Sequence, residues 1–303
     1  MRFKLVLILF FGALFSTLNS VVILVHGSFG INQDWWRPGG DFFSALESQA
    51  KKQGHVVVPF CWNGTPNDEE IFKAAEVLVK LIESYLGRDK IILVGHSHGG
   101  NVINKATQLL YDRLSDILAE VASSSCTDIL SLAKMQLAAS NLIPQNPASY
   151  LIPAPIPHHY SQTLDFKPTL REKKIYPIER VYLLGTPVCP QRYFPQMGAI
   201  AALINLFSEG DRIQTVLGMF DRRYPPHDRI ANVSVSFKQG ISYQSISPGH
   251  SELHDMLIGH WLINIPDMLK GDGVGNFERF SYVHDGHITF DEKSHPLYCL
   301  PQA

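Results

Sequence analysis

Apolar and polar positions alternate between two rhythms along the first third of the chain. Val21-Val22-Ile23-Leu24-Val25 is an unbroken β-branched and leucine run closed by His26-Gly27, and it predicts a buried strand. From Phe42 to Lys52 the apolar residues Phe42, Phe43, Leu46 and Ala50 recur at helical spacing. His55 to Phe60 predicts a second strand, stopped at Pro59 and the Asn63-Gly64 turn. Glu69 to Leu86 predicts a helix with Ile71, Phe72, Ala75, Leu78, Val79 and Ile82 on one face, ended by Gly87. Lys90 to Val94 is the third predicted strand, and another helix follows Gly99. Continuous apolar strands separated by amphipathic helices predict an α/β fold, with a mainly parallel sheet covered by helices on both faces.

The alternation then breaks. Ile103, Ala106, Leu110, Leu114, Ile117 and Val121 keep helical spacing well beyond the length needed to recross a sheet, and more helix is expected from Ile129 to Leu142. Pro144, Pro147, Pro153, Pro155 and Pro157 follow, and the next clear strand is Arg180 to Leu184, ended by Gly185-Thr186-Pro187. Roughly seventy residues between consecutive core strands far exceeds an ordinary connection. The expectation is a helical and proline-rich cap insertion, about residues 112–178, over the carboxyl edge of the sheet. Later strands are predicted at Ala202 to Phe207, Asn232 to Phe237 and Ser242 to Ile246. Residues 271–303 show no clear period and receive no element.

Composition narrows the class of molecule. A chain of 303 residues, 45% hydrophobic and 18% charged, is globular and excludes a disordered polymer. Lys plus Arg is 26 against 28 for Asp plus Glu, a net charge of −2, so the basic footprint of a nucleic-acid binder is lacking. Cys61, Cys126, Cys189 and Cys299 are too few for a disulfide scaffold; none forms a CxxC pair, and their pairing stays open. At the amino terminus, Arg2 and Lys4 precede a charge-free run from Leu5 to Leu18, then Asn19-Ser20. That is the pattern of a secretory signal peptide. Leu18 fits the small-x-small cleavage rule poorly, which leaves an uncleaved anchor open. Residues 1–20 are therefore read as a signal peptide or membrane anchor, residues 21–303 as one domain, and the chain as exported or membrane-anchored.

The candidate chemistry centres on Gly95-His96-Ser97-His98-Gly99-Gly100, where an apolar strand enters and a helix leaves with the serine on the turn between them. A hydroxyl at such a turn is lifted off the sheet, but it is a poor nucleophile until a base takes its proton. Attack on a carbonyl also creates an oxyanion that needs fixed donors. The backbone N–H groups of Ser28, in the loop after the first strand, and of His98 are the expected donors. An acid and then a histidine should follow in the sequence. Asp211 stands in an acidic turn after Ile204-Asn205-Leu206-Phe207, with Glu209 and Asp221 as competitors. His250 in Ser247-Pro248-Gly249-His250-Ser251 precedes a predicted helix over Leu253 to Leu262; His254, inside that helix, is the alternative base. His96 and His98 are expected to line the pocket or pack. His284-Asp285-Gly286-His287 near Asp291 lacks an identifiable ligand set and reads as surface-turn histidines, so no metal and no cofactor are expected.

These residues resemble the α/β-hydrolase superfamily, in particular its lipase/esterase-like members with a GHSHGG nucleophile elbow. The likeness runs through His26-Gly27, Cys61-Trp62-Asn63-Gly64, the elbow, Leu184-Gly185-Thr186-Pro187, Gly210-Asp211-Arg212-Ile213-Gln214 and Gly249-His250-Ser251. Two departures stand out: the family usually has extra strands before the HG turn, whose place the leader-like segment takes here, and the residue 112–178 block matches no recognisable cap. The resemblance implies a serine hydrolase with Ser97, Asp211 and His250 as the triad and Ser28 and His98 as oxyanion donors. It implies ester cleavage through an acyl-enzyme, with thioesterase or amidase chemistry, or a non-catalytic binding module on the same scaffold, as alternatives. The expected partner is a small-molecule or lipid ester, placing the protein in lipid metabolism, with a membrane surface as a further candidate. The apolar cap together with Phe29, Trp35 and Trp36 motivates the lipid-like substrate.

Overall fold

In the computed structural model, the described residues are 20–87, 89–123, 176–213, 221–238, 245–266, 286–291 and 294–299. The continuous apolar run becomes β1 (Ser20–Val25), every residue of which is buried. Its side chains alternate between two cores. Val21, Ile23 and Val25 face one, while Val22 and Leu24 face the other. A strand buried on both sides needs no polar face, which explains its unbroken apolar reading. The same division holds in β3 (Lys90–His96), where Ile91 and Leu93 oppose Ile92 and Val94. Full burial of a Val, Leu or Ile side chain contributes about 1.5–3 kcal/mol, so these strands anchor the molecule.

The helices cover both faces as the periodicity predicts. Those of α1 (Asp41–Lys52) and α5 (Met256–Trp261) pack in one core through Phe42, Phe43, Leu46, Ala50 and Ile258. The other core holds α2 (Asp68–Tyr85) and α3 (His98–Ser123) through Ile71, Leu78, Ile82, Ile103 and Leu110. Asn67 caps α2 by accepting the Glu70 N–H at 2.8 Å, and Asp68, Glu69 and Glu70 lie favourably at the positive end of its dipole. The helical spacing seen from Val102 to Val121 is one continuous element, α3, which extends into the range assigned to the cap.

The remaining elements are β2 (His55–Phe60), β4 (Ile178–Leu184), the short α4 (Pro190–Tyr193), β5 (Ile200–Phe207), β6 (Ile230–Lys238), β7 (Ser245–Ile246), β8 (Gly286–Asp291) and β9 (Ser294–Cys299). The sheet order is β2-β1-β3-β4-β5-β6-β8-β9, with β7 antiparallel on β6. Along that order pairing is parallel from β2 to β8 and antiparallel at β8–β9. Pro59 sits inside β2 without harm because, among the described residues, β2 is an edge strand paired with β1 alone.

Two readings are corrected. The predicted helix from Leu253 to Leu262 is broken into a 3-10 turn at Ser251–His254, the extended residue Asp255, α5, and a second 3-10 turn at Leu262–Asn264. Asp255 breaks it by accepting the Leu257 N–H at 2.7 Å, so its side chain caps a new helix instead of continuing the old one. The unassigned carboxyl segment contains β8 and β9. Of the predicted leader, residues 1–19 lie outside the described residues, as do residues 124–175 of the predicted cap and residues 242–244 of the predicted strand Ser242 to Ile246. Among the described residues, no helix is long and apolar enough to cross a membrane.

Candidate active site

Register brings the candidate residues to one edge. Val25 pairs with Gly95, so His26 and Gly27 emerge beside His96 and Ser97. His96 pairs in turn with Leu184, Leu184 with Leu206, and Phe207 with Ser234. The loops that follow β1, β3, β4 and β5 therefore open together at the carboxyl ends of parallel strands, the usual place for a site on such a sheet.

Ser97 has φ 53°, in the left-handed region, and is buried. A non-glycine residue there costs about 1–3 kcal/mol and persists only when its surroundings over-determine it. Its N–H donates to the Leu184 carbonyl at 2.9 Å, and its own carbonyl accepts the Gly100 N–H at 2.9 Å. Close approach explains two of the glycines: a Cβ on Gly27 would lie 2.8 Å from Ser97 Cβ, and one on Gly99 would collide with the His26 carbonyl. The only other non-glycine residue with positive φ among the described residues is Phe29, at 58°, in the loop facing the elbow.

That loop is braced from beneath. The buried His26 ring holds Nδ1 at 2.8 Å from the Gly27 carbonyl, and its Nε2 accepts the Trp62 N–H at 3.3 Å. Trp62 Nε1–H donates to the His26 carbonyl at 2.7 Å, and Trp36 Nε1–H to the Gly30 carbonyl at 2.8 Å. Burial pushes the His26 pKa down, so the ring serves as a neutral strut. Ser28 Oγ and His98 Nδ1 are joined by a 3.1 Å hydrogen bond, linking the two residues whose amides are the candidate oxyanion donors. His98 opens α3, where the first N–H groups have no carbonyl within the helix.

Asp211 is fully buried, and its Oδ2 accepts a 2.7 Å hydrogen bond from His250 Nδ1. Its Oδ1 accepts the Ile213 N–H at 3.1 Å. With the proton of the neutral ring on Nδ1, Nε2 is the free basic atom of His250. The acid turn and base loop are latched together, because Ser208 Oγ–H donates to the Pro248 carbonyl at 2.5 Å while accepting the Gly210 N–H at 3.0 Å. Arg222 holds the turn from the other side, with Nη2–H on the Asp211 carbonyl at 3.1 Å and an ion pair to Glu209 at 2.6 Å.

The rivals go elsewhere. Glu209 is exposed and paired with Arg222 and Arg223, and the backbone of Asp221 forms a β-bridge with Val188. His254 stacks on Trp35 with ring centroids 4.3 Å apart, and burial pushes its pKa down to about 4. A Cβ on Gly185, the residue after Leu184, would lie 3.3 Å from both Asp211 Oδ2 and His250 Nδ1, which sets the pair beside the Ser97 turn. No hydrogen bond joins Ser97 Oγ to His250 among the described residues; pairs of this kind commonly tighten only on substrate binding.

His96 is buried and packs as expected, its pKa held well below the ordinary value by burial and, secondarily, by His254 and His250. Burial likewise lowers His98 to about 4. His287 is corrected from a surface turn to strand β8, where it bonds Ser234 Oγ at 2.8 Å and Ser236 Oγ at 2.9 Å; His284 and Asp285 lie outside the described residues. Among the described residues, no cluster of His, Cys, Asp or Glu is arranged to hold a metal ion. Cys61 and Cys189 are free thiols. Sequence reasoning missed the Ser208 latch and the Trp35 stack. The signal for the first was a serine three positions before the acid in the turn Ser208-Glu209-Gly210-Asp211.

Comparison with known proteins gives one broad match, to the Alpha/beta hydrolase family over residues 22–236. Among solved structures, a protein assigned to the alpha/beta hydrolase superfamily from Xanthomonas campestris pv. campestris is 10% identical, covers 82% of this chain and 99% of its own, and has a TM-score of 0.36. The extracellular alpha/beta-hydrolase from a Paenibacillus species is 29% identical over 31% of this chain and 37% of its own, with a TM-score of 0.22. A metagenomic carboxyl esterase is 10% identical, covering 73% of this chain and 50% of its own, with a TM-score of 0.30. Scores this low add nothing to the fold assignment. No curated protein matches the chain.

Proposed function

The chain belongs to the alpha/beta hydrolase family, and from that premise we propose that it is a serine hydrolase cleaving carboxylic esters through an acyl-enzyme. The observation that carries this reading is the 2.7 Å bond between buried Asp211 and His250 Nδ1, beside a serine held at positive φ. In the first half-reaction His250 Nε2 takes the Ser97 proton as Oγ attacks the ester carbonyl. Asp211 keeps the imidazole in the Nδ1–H tautomer and stabilises its cation. The amides of Ser28 and His98 receive the oxyanion, each such donor contributing about 3 kcal/mol to the transition state. The tetrahedral intermediate collapses, and His250 returns the proton to the leaving alcohol. Water then attacks the acyl-serine with His250 again as base, releasing the carboxylic acid and restoring Ser97.

The substrate side of this reading rests on fewer residues than the sequence offers. Trp35 and Trp36 are buried braces, one stacked on His254 and the other bonded to Gly30, whereas Phe29 is 76% exposed beside the candidate oxyanion loop. An apolar or lipid-like acyl group is therefore met first by Phe29. Hydrolysis of short- and long-chain nitrophenyl esters by wild type and Ser97→Ala tests the assignment. We expect turnover by wild type and a loss of about 10⁶-fold without the hydroxyl; equal rates reject it. A matched thioester and an anilide in the same panel decide the leaving group. Mass measurement of the mature amino terminus tests export or anchoring through residues 1–20.

A further inference from the structure

His96 immediately precedes Ser97, and the chemistry above gives it no task. It is nevertheless a buried imidazole at the site, and its Nε2 lies 3.0 Å from the backbone carbonyl of His250. A carbonyl only accepts, so the proton of this ring is on Nε2 and His96 donates. Its ring centroid is 4.8 Å from that of His250, 4.7 Å from His254 in an edge-on arrangement, and 5.4 Å from Trp35, also edge-on. Trp35 completes the group by stacking on His254.

We propose that His96 is a positioning residue for the general base, fixing the 250–254 loop to the nucleophile strand by donating a hydrogen bond to the main chain of His250. The inference rests on the serine-hydrolase reading and extends it. The Asp211 bond orients the imidazole plane but does not itself touch the main chain of the loop, whose His250 carbonyl also accepts the Leu253 N–H at 3.4 Å. The Ser208–Pro248 bond holds the loop two residues earlier, and the His96 bond holds it at the base itself. Both holding bonds go to backbone carbonyls, so they persist whether the His250 ring is neutral or protonated. Because His96 is rigidly part of β3, the base is referred to the same strand end that carries Ser97. Burial keeps His96 neutral, which matters at 4.8 Å from a ring that becomes cationic during turnover.

The test compares His96→Gln with His96→Met, side chains of equal length that differ in carrying an N–H donor. Loss of the donor in His96→Met should lower kcat for nitrophenyl ester hydrolysis roughly 10- to 100-fold, as expected for a misplaced base, with KM little changed. His96→Gln should recover most of that loss. Equal rates in the two variants, whether both unimpaired or both equally reduced, overturn the assignment. Should a variant fail to fold, nitrogen-15 NMR of the wild-type chain decides: an Nε2–H tautomer at His96 is expected, and an Nδ1–H tautomer overturns the proposal. A wild-type chain that hydrolyses no ester, and whose Ser97 resists fluorophosphonate, removes the parent reading instead.

Discussion

Ser97 and Phe29 are held at positive φ within facing loops, and strain at a site is informative because nothing in packing alone calls for it. At Ser97 the strain can be measured. Replacing the serine by glycine relieves the left-handed backbone, whereas alanine keeps it, so Ser97→Gly should be more stable than Ser97→Ala by about 1 kcal/mol in urea unfolding. Equal stabilities would mean that the turn is unstrained. The same scale shows what sequence could and could not resolve. Ser97 is legible because strand, glycines and helix surround it in a fixed order. His250 and His254 are not separable by order, being four residues apart in one segment. They are separated by their ring partners: Trp35 stacks on the second ring while Asp211 takes the first.

Elements were legible to the extent that their burial was two-sided or amphipathic. β1, β3, α1 and α2 could be read because each buries a continuous run or a helical stripe, although Phe72, read into the α2 stripe, is exposed and Ala74 is buried in its place. Strands β8 and β9 were missed for the opposite reason. In β8, buried and half-buried residues alternate, and the half-buried His287 and Thr289 point to the polar side chains of β6, so no apolar run marks the strand. Loops carry the other element-scale lesson. Ser208→Ala leaves the Pro248 carbonyl without its hydroxyl partner and should cost about 1–3 kcal/mol while lowering kcat, because the acid turn and base loop lose their latch. Asn67→Ala supplies the contrast, removing the α2 cap for about 1 kcal/mol with kcat unchanged. Thermal unfolding and ester kinetics on both variants check the pair; a Ser208→Ala protein with wild-type kcat would show that the latch does not matter to the site.

Across the whole molecule, the site depends on several imidazoles kept neutral by burial. His26 and His96 are lowered, and His98 and His254 are held at about 4 against an ordinary value of 6.5. The unfolded chain therefore takes up protons that the folded chain refuses. Stability from these groups is fully present above pH 6.5 and is lost as pH falls from there toward about 4. The slope can reach about 1.4 kcal/mol per pH unit for each histidine. Urea unfolding between pH 7.5 and 4.5 should show this decline, and a flat profile would contradict it. The fold itself follows from the alternation of buried strands and helices, and its parallel register carries the loops of four strands to one edge.

Mass spectrometry after treatment with a fluorophosphonate tests most directly whether the hydroxyl at that edge is a nucleophile. A single covalent adduct on the peptide containing Ser97, absent from Ser97→Ala and strongly slowed in His250→Gln, is the predicted result. An unlabelled wild-type chain, or an adduct that survives Ser97→Ala, would contradict it.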